Sequence, residues 1–166
     1  MHQYPEQYLK DGLVTDNTWQ LISADTETLP SGDILVPVSY WQAHRQQMAE
    51  HSGNVGVWVD GHEEIETFAN AIATVPVIAI NFTKFVDGRG FSMARLLRER
   101  FGYIGEIRAI GHFIRDQLFM LKRCGFNAFQ FQSEIDLAAA SKSLNDFSDA
   151  YQVAVDQPEP LFKRHR

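Results

Sequence analysis

A single cysteine, Cys124, stands in the 166 residues of the chain. One thiol excludes an intramolecular disulfide, a CxxC redox pair, a four-cysteine zinc site and a self-contained iron–sulfur cluster. No apolar run reaches the ~18 residues that would span a bilayer. The opening MHQYPEQYLKDG lacks the layout of a signal peptide. A cytoplasmic protein without a membrane partner is therefore expected. Positive charge is outnumbered, with 15 Lys and Arg against 21 Asp and Glu, a formal charge of −6 and a pI near 5.4. That balance speaks against a general nucleic-acid-binding coat. The six histidines show no HxxxH or HxH spacing with supporting carboxylates, so no metal site is expected. GxGxxG, Walker and GxSxG motifs are all missing, and with them any recognisable site for a cofactor.

What is present is an ordinary globular composition, 45% hydrophobic and 22% charged, at a length of about one domain. Leu13-Val14 and Trp19 to Ile22 read as short strands around a turn at Thr15-Asp16-Asn17. From Ile34 a regular rhythm begins. Apolar runs at Ile34–Val38, Val55–Val59, Val77–Phe82, Ile107–Gly111 and Ala128–Gln132 predict five strands. Between and after them, helices are predicted from Ser39, from Glu63 to Val75, from Ser92 to Phe101, from about Ile114 to Gly125, and from Asp136 to about Tyr151. Five alternating strand–helix units imply an α/β fold with a mainly parallel sheet. Such a sheet is either open and doubly wound or half-barrel-like, since five units cannot close an eight-stranded barrel. The expected organisation is an N-terminal extension with a short β segment over residues 1–33, an α/β domain over 34–151, and an extended or flexible tail over 152–166.

One connection concentrates chemistry. The third strand is followed by Thr83-Lys84-Phe85-Val86-Asp87-Gly88-Arg89-Gly90 and then Ser92, read as a helix cap. Glycines let a backbone approach a ligand, and a helix start offers free N–H groups. Lys84, Asp87, Gly88, Arg89, Gly90, Ser92 and Arg95, joined by Arg108 on the next strand, form a candidate site for a small anion. Residues 84–123 carry nine basic and four acidic side chains within a net acidic chain. Such asymmetry can steer an anionic ligand or an acidic partner. His112 and Asp116, after the fourth strand, are the candidates for acid–base work. The alternative reading is structural: Arg89 pairs with Asp87, Arg95 and Glu99 pair at i,i+4, and the helix dipole suffices to explain Asp116.

The text NFTKFVDGRGFSMARLLRERFGYIGEIRAIGHFIRDQLFMLKRCGFNAF resembles a bacterial family of unassigned activity encoded beside sulfite reductase genes, whose members carry the label of oxidoreductases of sulfite reduction. Weaker similarity runs from about Leu13 to Tyr151. The family pattern falls on Phe82, Phe85, Asp87, Gly88, Arg89, Gly90, Ser92, Arg95, Leu97, Arg98, Gly105, Glu106, Arg108, Gly111, Asp116 and Gly125. It departs at Thr83, where proline is common, and at His112, where an acidic residue is common. The resemblance implies an accessory protein of assimilatory sulfite reduction, hence of sulfate assimilation and cysteine biosynthesis. It would bind sulfite reductase or its electron donor and hold a small anion at DGRG. Two alternatives stand beside it: an enzyme acting on a small anionic sulfur compound or phosphorylated metabolite, and a non-catalytic α/β scaffold or homo-oligomerisation module.

Overall fold

The computed structural model describes residues 4–84, 87–144 and 155. Its strands are β1 (Gln7–Lys10), β2 (Leu13–Asp16), β3 (Gln20–Leu21), β4 (Ile34–Pro37), β5 (Val55–Asp60), β6 (Val77–Phe82), β7 (Glu106–Gly111) and β8 (Ala128–Phe129). They form one sheet in the order β2-β1-β8-β7-β6-β5-β4-β3. From β3 to β8 every pair is parallel, and each strand lies beside its neighbour in sequence. The doubly wound alternative needs an order that reverses, so the half-barrel reading is the correct one. β1 and β2 form an antiparallel hairpin added to β8.

The strand count is eight, where the sequence pattern predicted five in the α/β segment and two short ones before it. β1 escaped because Tyr8 and Leu9, its two buried residues, sit among polar neighbours. The N-terminal 33 residues thus contribute three strands to the same sheet as the rest.

The sheet is strongly curled. β2 and β3 are its opposite edges, yet only Asn17, Thr18 and Trp19 join them. The four Cα steps from Asp16 to Gln20 reach at most about 14 Å. A flat sheet of this width would hold its edges about 34 Å apart. The link therefore runs as a strap over the inside of a half-barrel. Asn17 N–H donates to the Glu6 carbonyl (2.7 Å), and Thr18 Oγ1 donates to Asp33 Oδ2 (3.2 Å).

The helices are α1 (Val38–Ala43), α2 (Arg45–Ala49), α3 (Arg89–Glu99), α4 (Leu118–Arg123) and α5 (Leu137–Ser143). All pack on the convex face. There Val57, Ile78, Ile80, Ile107 and Phe129 meet Met93, Leu97, Leu118 and Leu121, while Ile34 and Val36 meet Met48. The opposite, concave face carries Leu35, Val77, Ala79 and Ile110, covered by Trp19, Leu21 and Trp58. Period-2 alternation explains the division: both faces of the central strands are buried, so they read as unbroken apolar runs.

Several boundaries differ from the sequence expectation. Glu63 to Val75 is not a long helix but a 3₁₀ turn at Ile65–Thr67 followed by further turns. Thr67, Asn70 and Thr74 are poor helix formers there. The helix from Ser39 begins at Val38 and breaks at His44, whose φ of −124° is not helical. The last strand stops at Phe129. The final helix is described from Leu137 to Ser143; its expected continuation to Tyr151 and most of the tail over 152–166 lie outside the described residues. Among the described residues no helix is long and apolar enough to cross a membrane.

Arg98, on α3, is the main polar strut between the layers. Nε donates to the Gly125 carbonyl (3.0 Å), Nη1 to the carbonyls of Tyr103 and Gly105 (2.8 Å each), and Nη2 to Asn127 Oδ1 (3.3 Å). One guanidinium thus ties α3 to the loops entering β7 and β8. Removing it strands several carbonyls at once. Arg98→Ala is expected to lower stability by about 3 kcal/mol. Arg98→Lys should recover only part of that, because an ammonium cannot reproduce the planar fork. Denaturant midpoints at unchanged m-value are the check.

Candidate functional site at the strand C-termini

In α/β sheets of this kind, side chains at the C-terminal strand ends are the ones free to meet ligands. Here β5, β6 and β7 finish close together. Asp60 closes β5 and Asn81 stands one residue before the end of β6, paired in register. Asn81 Nδ2 donates to Asp60 Oδ1 (2.8 Å), and the Asp60 N–H donates to Glu63 Oε2 (2.7 Å). Gly61 N–H donates to the Asn81 carbonyl (3.0 Å). Gly111 ends β7 at φ +85°, where a Cβ would collide with Asn81 Oδ1. These three strand ends therefore fit one another only with glycine at position 111.

The turn after β6 is organised by Asp87. Its Oδ1 accepts from the Arg89 backbone N–H (3.1 Å) and from Arg89 Nε (2.9 Å), and its Oδ2 accepts from Arg89 Nη2 (2.8 Å). The side-chain and backbone donors of Arg89 hold the Asp87 carboxyl at about 2, well below the ordinary value, with a smaller contribution from His62. α3 thereby starts at Arg89, three residues earlier than the expected cap. Ser92 lies exposed inside its first turn, and Asp87 does the work assigned to the serine. The two glycines differ in role. A Cβ on Gly88 would meet nothing, whereas one on Gly90 would strike the Phe82 ring at 2.6 Å. Gly90 is thus a packing glycine that lets α3 sit on β6.

The expected basic residues do not share one surface. Arg89 is two-thirds exposed and bound to Asp87. Arg95 is half exposed, with Nε donating to both Glu99 oxygens at 3.2 Å. Lys84 is exposed. Arg108 has no exposed surface at all and belongs to the concave interior. The expectation that Arg89, Arg95 and Arg108 form a common patch is therefore corrected: period-2 alternation turns Arg108 inward while the other two occupy the convex side. His112 and Asp116 are both exposed. The His112 backbone N–H donates to the Phe82 carbonyl (2.7 Å), and Asp116 sits in a 3₁₀ turn.

The concave interior holds a polar cluster that the sequence pattern did not single out. Arg108 Nε donates to Glu106 Oε1 (2.7 Å), and Glu106 Oε2 pairs with Lys10 Nζ (3.2 Å). Arg108 Nη1 donates to Gln130 Oε1 (2.9 Å) and to Asn17 Oδ1 on the strap (3.3 Å). The guanidinium carbon lies 4.1 Å from the Tyr8 ring centre and 5.9 Å from that of Trp19. Asp60, Asn81 and Gln130 were missed, and Glu106 entered only as a position of the family pattern, with no role. Their common signal is a polar residue at either end of an apolar strand, as in VGVWVD, VIAINF and EIRAIG. No group of three or more His, Cys, Asp or Glu among the described residues is placed to hold a metal ion.

Asp87 gives a direct check of the turn. Its carboxyl resonance should titrate with a midpoint of about 2. In Arg89→Gln the midpoint should return toward the ordinary carboxylate range. The sign follows from the depression: any stability from this pair is present above the unfolded-state value and fades as pH falls through the folded one. Exposure keeps that contribution small.

No curated protein and no solved structure matches this chain. A family model does, that of the bacterial proteins of unknown function designated DUF934, over residues 56–162. The matched segment runs from β5 through β8 and includes the Asp87–Arg89 turn, the Arg98 strut and the buried Arg108. With well over half of its length matched, this chain belongs to the DUF934 family.

Proposed function

We propose that this protein is a cytoplasmic accessory factor of assimilatory sulfite reduction that docks on sulfite reductase or on its electron donor. The observation that carries the reading is how the motif residues divide. Arg98, Gly90, Gly111 and Arg108 are committed to the interior. Asp87, Arg89 and Ser92 follow β6 at the end of the sheet where ligands and partners are met, Arg95 lies further along α3, and of these Arg89, Ser92 and Arg95 are exposed. The resemblance to proteins encoded beside sulfite reductase genes supplies the pathway. Arg89 is already forked onto Asp87, so a small anion at the DGRG turn has to compete with that carboxylate. Docking through the exposed charges of the turn and α3 needs no such displacement, which favours a protein partner over catalysis there.

Deletion of the gene is expected to impair growth on sulfate or sulfite, with rescue by cysteine or sulfide. The folded Arg89→Ala variant should reproduce the defect, since alanine cannot replace a planar, permanently charged fork. Purified sulfite reductase or its electron donor should be retained on the immobilised protein, and less so as salt rises, because exposed charges are screened over about 8 Å at physiological ionic strength. Normal growth of the deletion strain without retention of either component sinks the proposal. Sulfite turnover by the isolated chain with a simple electron donor replaces it with the enzyme reading.

A further inference from the structure

We propose that Arg108 is the binding residue of a small-oxyanion site inside the half-barrel, closed in this structure by the strap Asn17–Trp19. The site is separate from the DGRG turn and does not depend on the docking role above. A buried arginine has five N–H donors to satisfy. Nε and Nη1 find Glu106, Gln130 and Asn17, the last through a long 3.3 Å contact. Nη2 is buried and has no hydrogen-bond partner among the described residues. Native interiors rarely leave a charged donor in that condition.

Filling the concave face does not require this side chain. Apolar residues of similar size commonly replace buried ion pairs without loss of stability, and the register row that runs from Arg108 through Ala79 and Trp58 to Pro37 is otherwise suited to packing. Two small residues, Ala79 and Ala128, flank Arg108 in register. Lys10 and Arg108 both pair with the carboxylate of Glu106, and Asp11 adds a second, weaker negative charge beside Lys10 and Tyr8. An anion with two oxygens, such as a carboxylate, sulfate or phosphate, offers what Nη2 lacks and what Nη1 holds only loosely: a bidentate, charge-assisted pair. The Tyr8 and Trp19 rings beside the guanidinium leave its in-plane donor edge as the direction of approach.

Because Nη2 has no contact with solvent, a ligand enters only if the strap moves. The strap is suited to that. It is three residues long, among the described residues its one backbone hydrogen bond to a neighbouring segment is from Asn17 N–H to the Glu6 carbonyl, and its polar side-chain contacts are long, from Thr18 to Asp33 and from Arg108 to Asn17; opening it also lifts the partly buried Trp19 ring off the concave apolar cluster. An oxyanion on Arg108 would take the place of Asn17 Oδ1. Anion binding and strap release are then one event.

The test uses the full chain with sulfate, phosphate and acetate as probes, each against sodium chloride at equal ionic strength. At least one probe should raise the melting temperature of the wild-type protein by several degrees near saturation. Asn17→Ala, which loosens the strap and frees Nη1, should bind the same probe about tenfold more tightly. Arg108→Met should show no specific shift, and Arg108→Lys should bind at least about tenfold more weakly. The Arg108 Nε–H resonance in wild-type protein should move in step with binding; this readout stands even if Arg108→Met does not fold. An equal shift in Arg108→Met, or no effect of any probe on wild type and Asn17→Ala alike, overturns the proposal. So does binding that leaves the Arg108 resonance unmoved. None of these outcomes bears on the growth phenotype, so the two proposals fail separately.

Discussion

The three-residue link from β2 to β3 constrains everything else in this molecule. A chain that leaves one edge of an eight-stranded sheet and enters the opposite edge after Asn17, Thr18 and Trp19 forces the sheet to roll up. Rolling creates a concave face too narrow for helices, so every helix among the described residues lies outside. The interior must then be filled by side chains alone, as in closed α/β barrels. Trp19, Leu21 and Trp58 do this at one side, and Tyr8, Arg108 and Gln130 at the other. The Trp58 indole donates to the Ile22 carbonyl at 2.9 Å, which ties the segment after β3 to β5.

Two arginines divide the polar work between the two faces. Arg98 acts outside, where four acceptors fix the loops that precede β7 and β8. Arg108 acts inside, where Glu106, Gln130 and Asn17 meet it and one nitrogen has no hydrogen-bond partner among the described residues. These two arginines, both lying within the segment that the family model matches, mark the difference between a strut and a candidate binding residue. The surface at the Asp87–Arg89 turn is of a third kind. Its ion pair is complete, with Arg89 largely exposed and Asp87 mostly covered, so it shapes a helix start and presents charge without preparing a vacancy for a small ion.

The parts of the site visible in the sequence were those set by local chemistry. Asp87 two residues before Arg89 makes their fork available whatever the fold, and Arg95 with Glu99 follows from helical spacing. Arg108 stood out as a charge within an apolar strand, yet only its inward direction shows that it cannot join the other arginines. Asp60 and Asn81 are far apart in sequence and ordinary in type. Parallel pairing of β5 with β6 alone brings them into hydrogen-bonding contact.

By itself the sequence determined the α/β class, the central strands, a helix end just before Gly102, where α3 stops at Glu99 rather than the expected Phe101, the stop of α4 by Gly125, and the absence of a thiol pair. Each of these rests on residues close together along the chain: runs of Val and Ile, and glycines at φ +63° and +113°. The tertiary structure alone decided the curl of the sheet, the enlistment of β1 and the burial of Arg108. Strand order and edge-to-edge distance are properties of contacts between remote segments. In β1 the cues are local but ambiguous, since Tyr8 and Leu9 among polar residues read as a loop until β8 offers Phe129 and Ala128 as partners. Hydrophobic periodicity specifies which side of a strand is apolar; whether that side meets a helix or a strap is fixed only when the sheet closes around it.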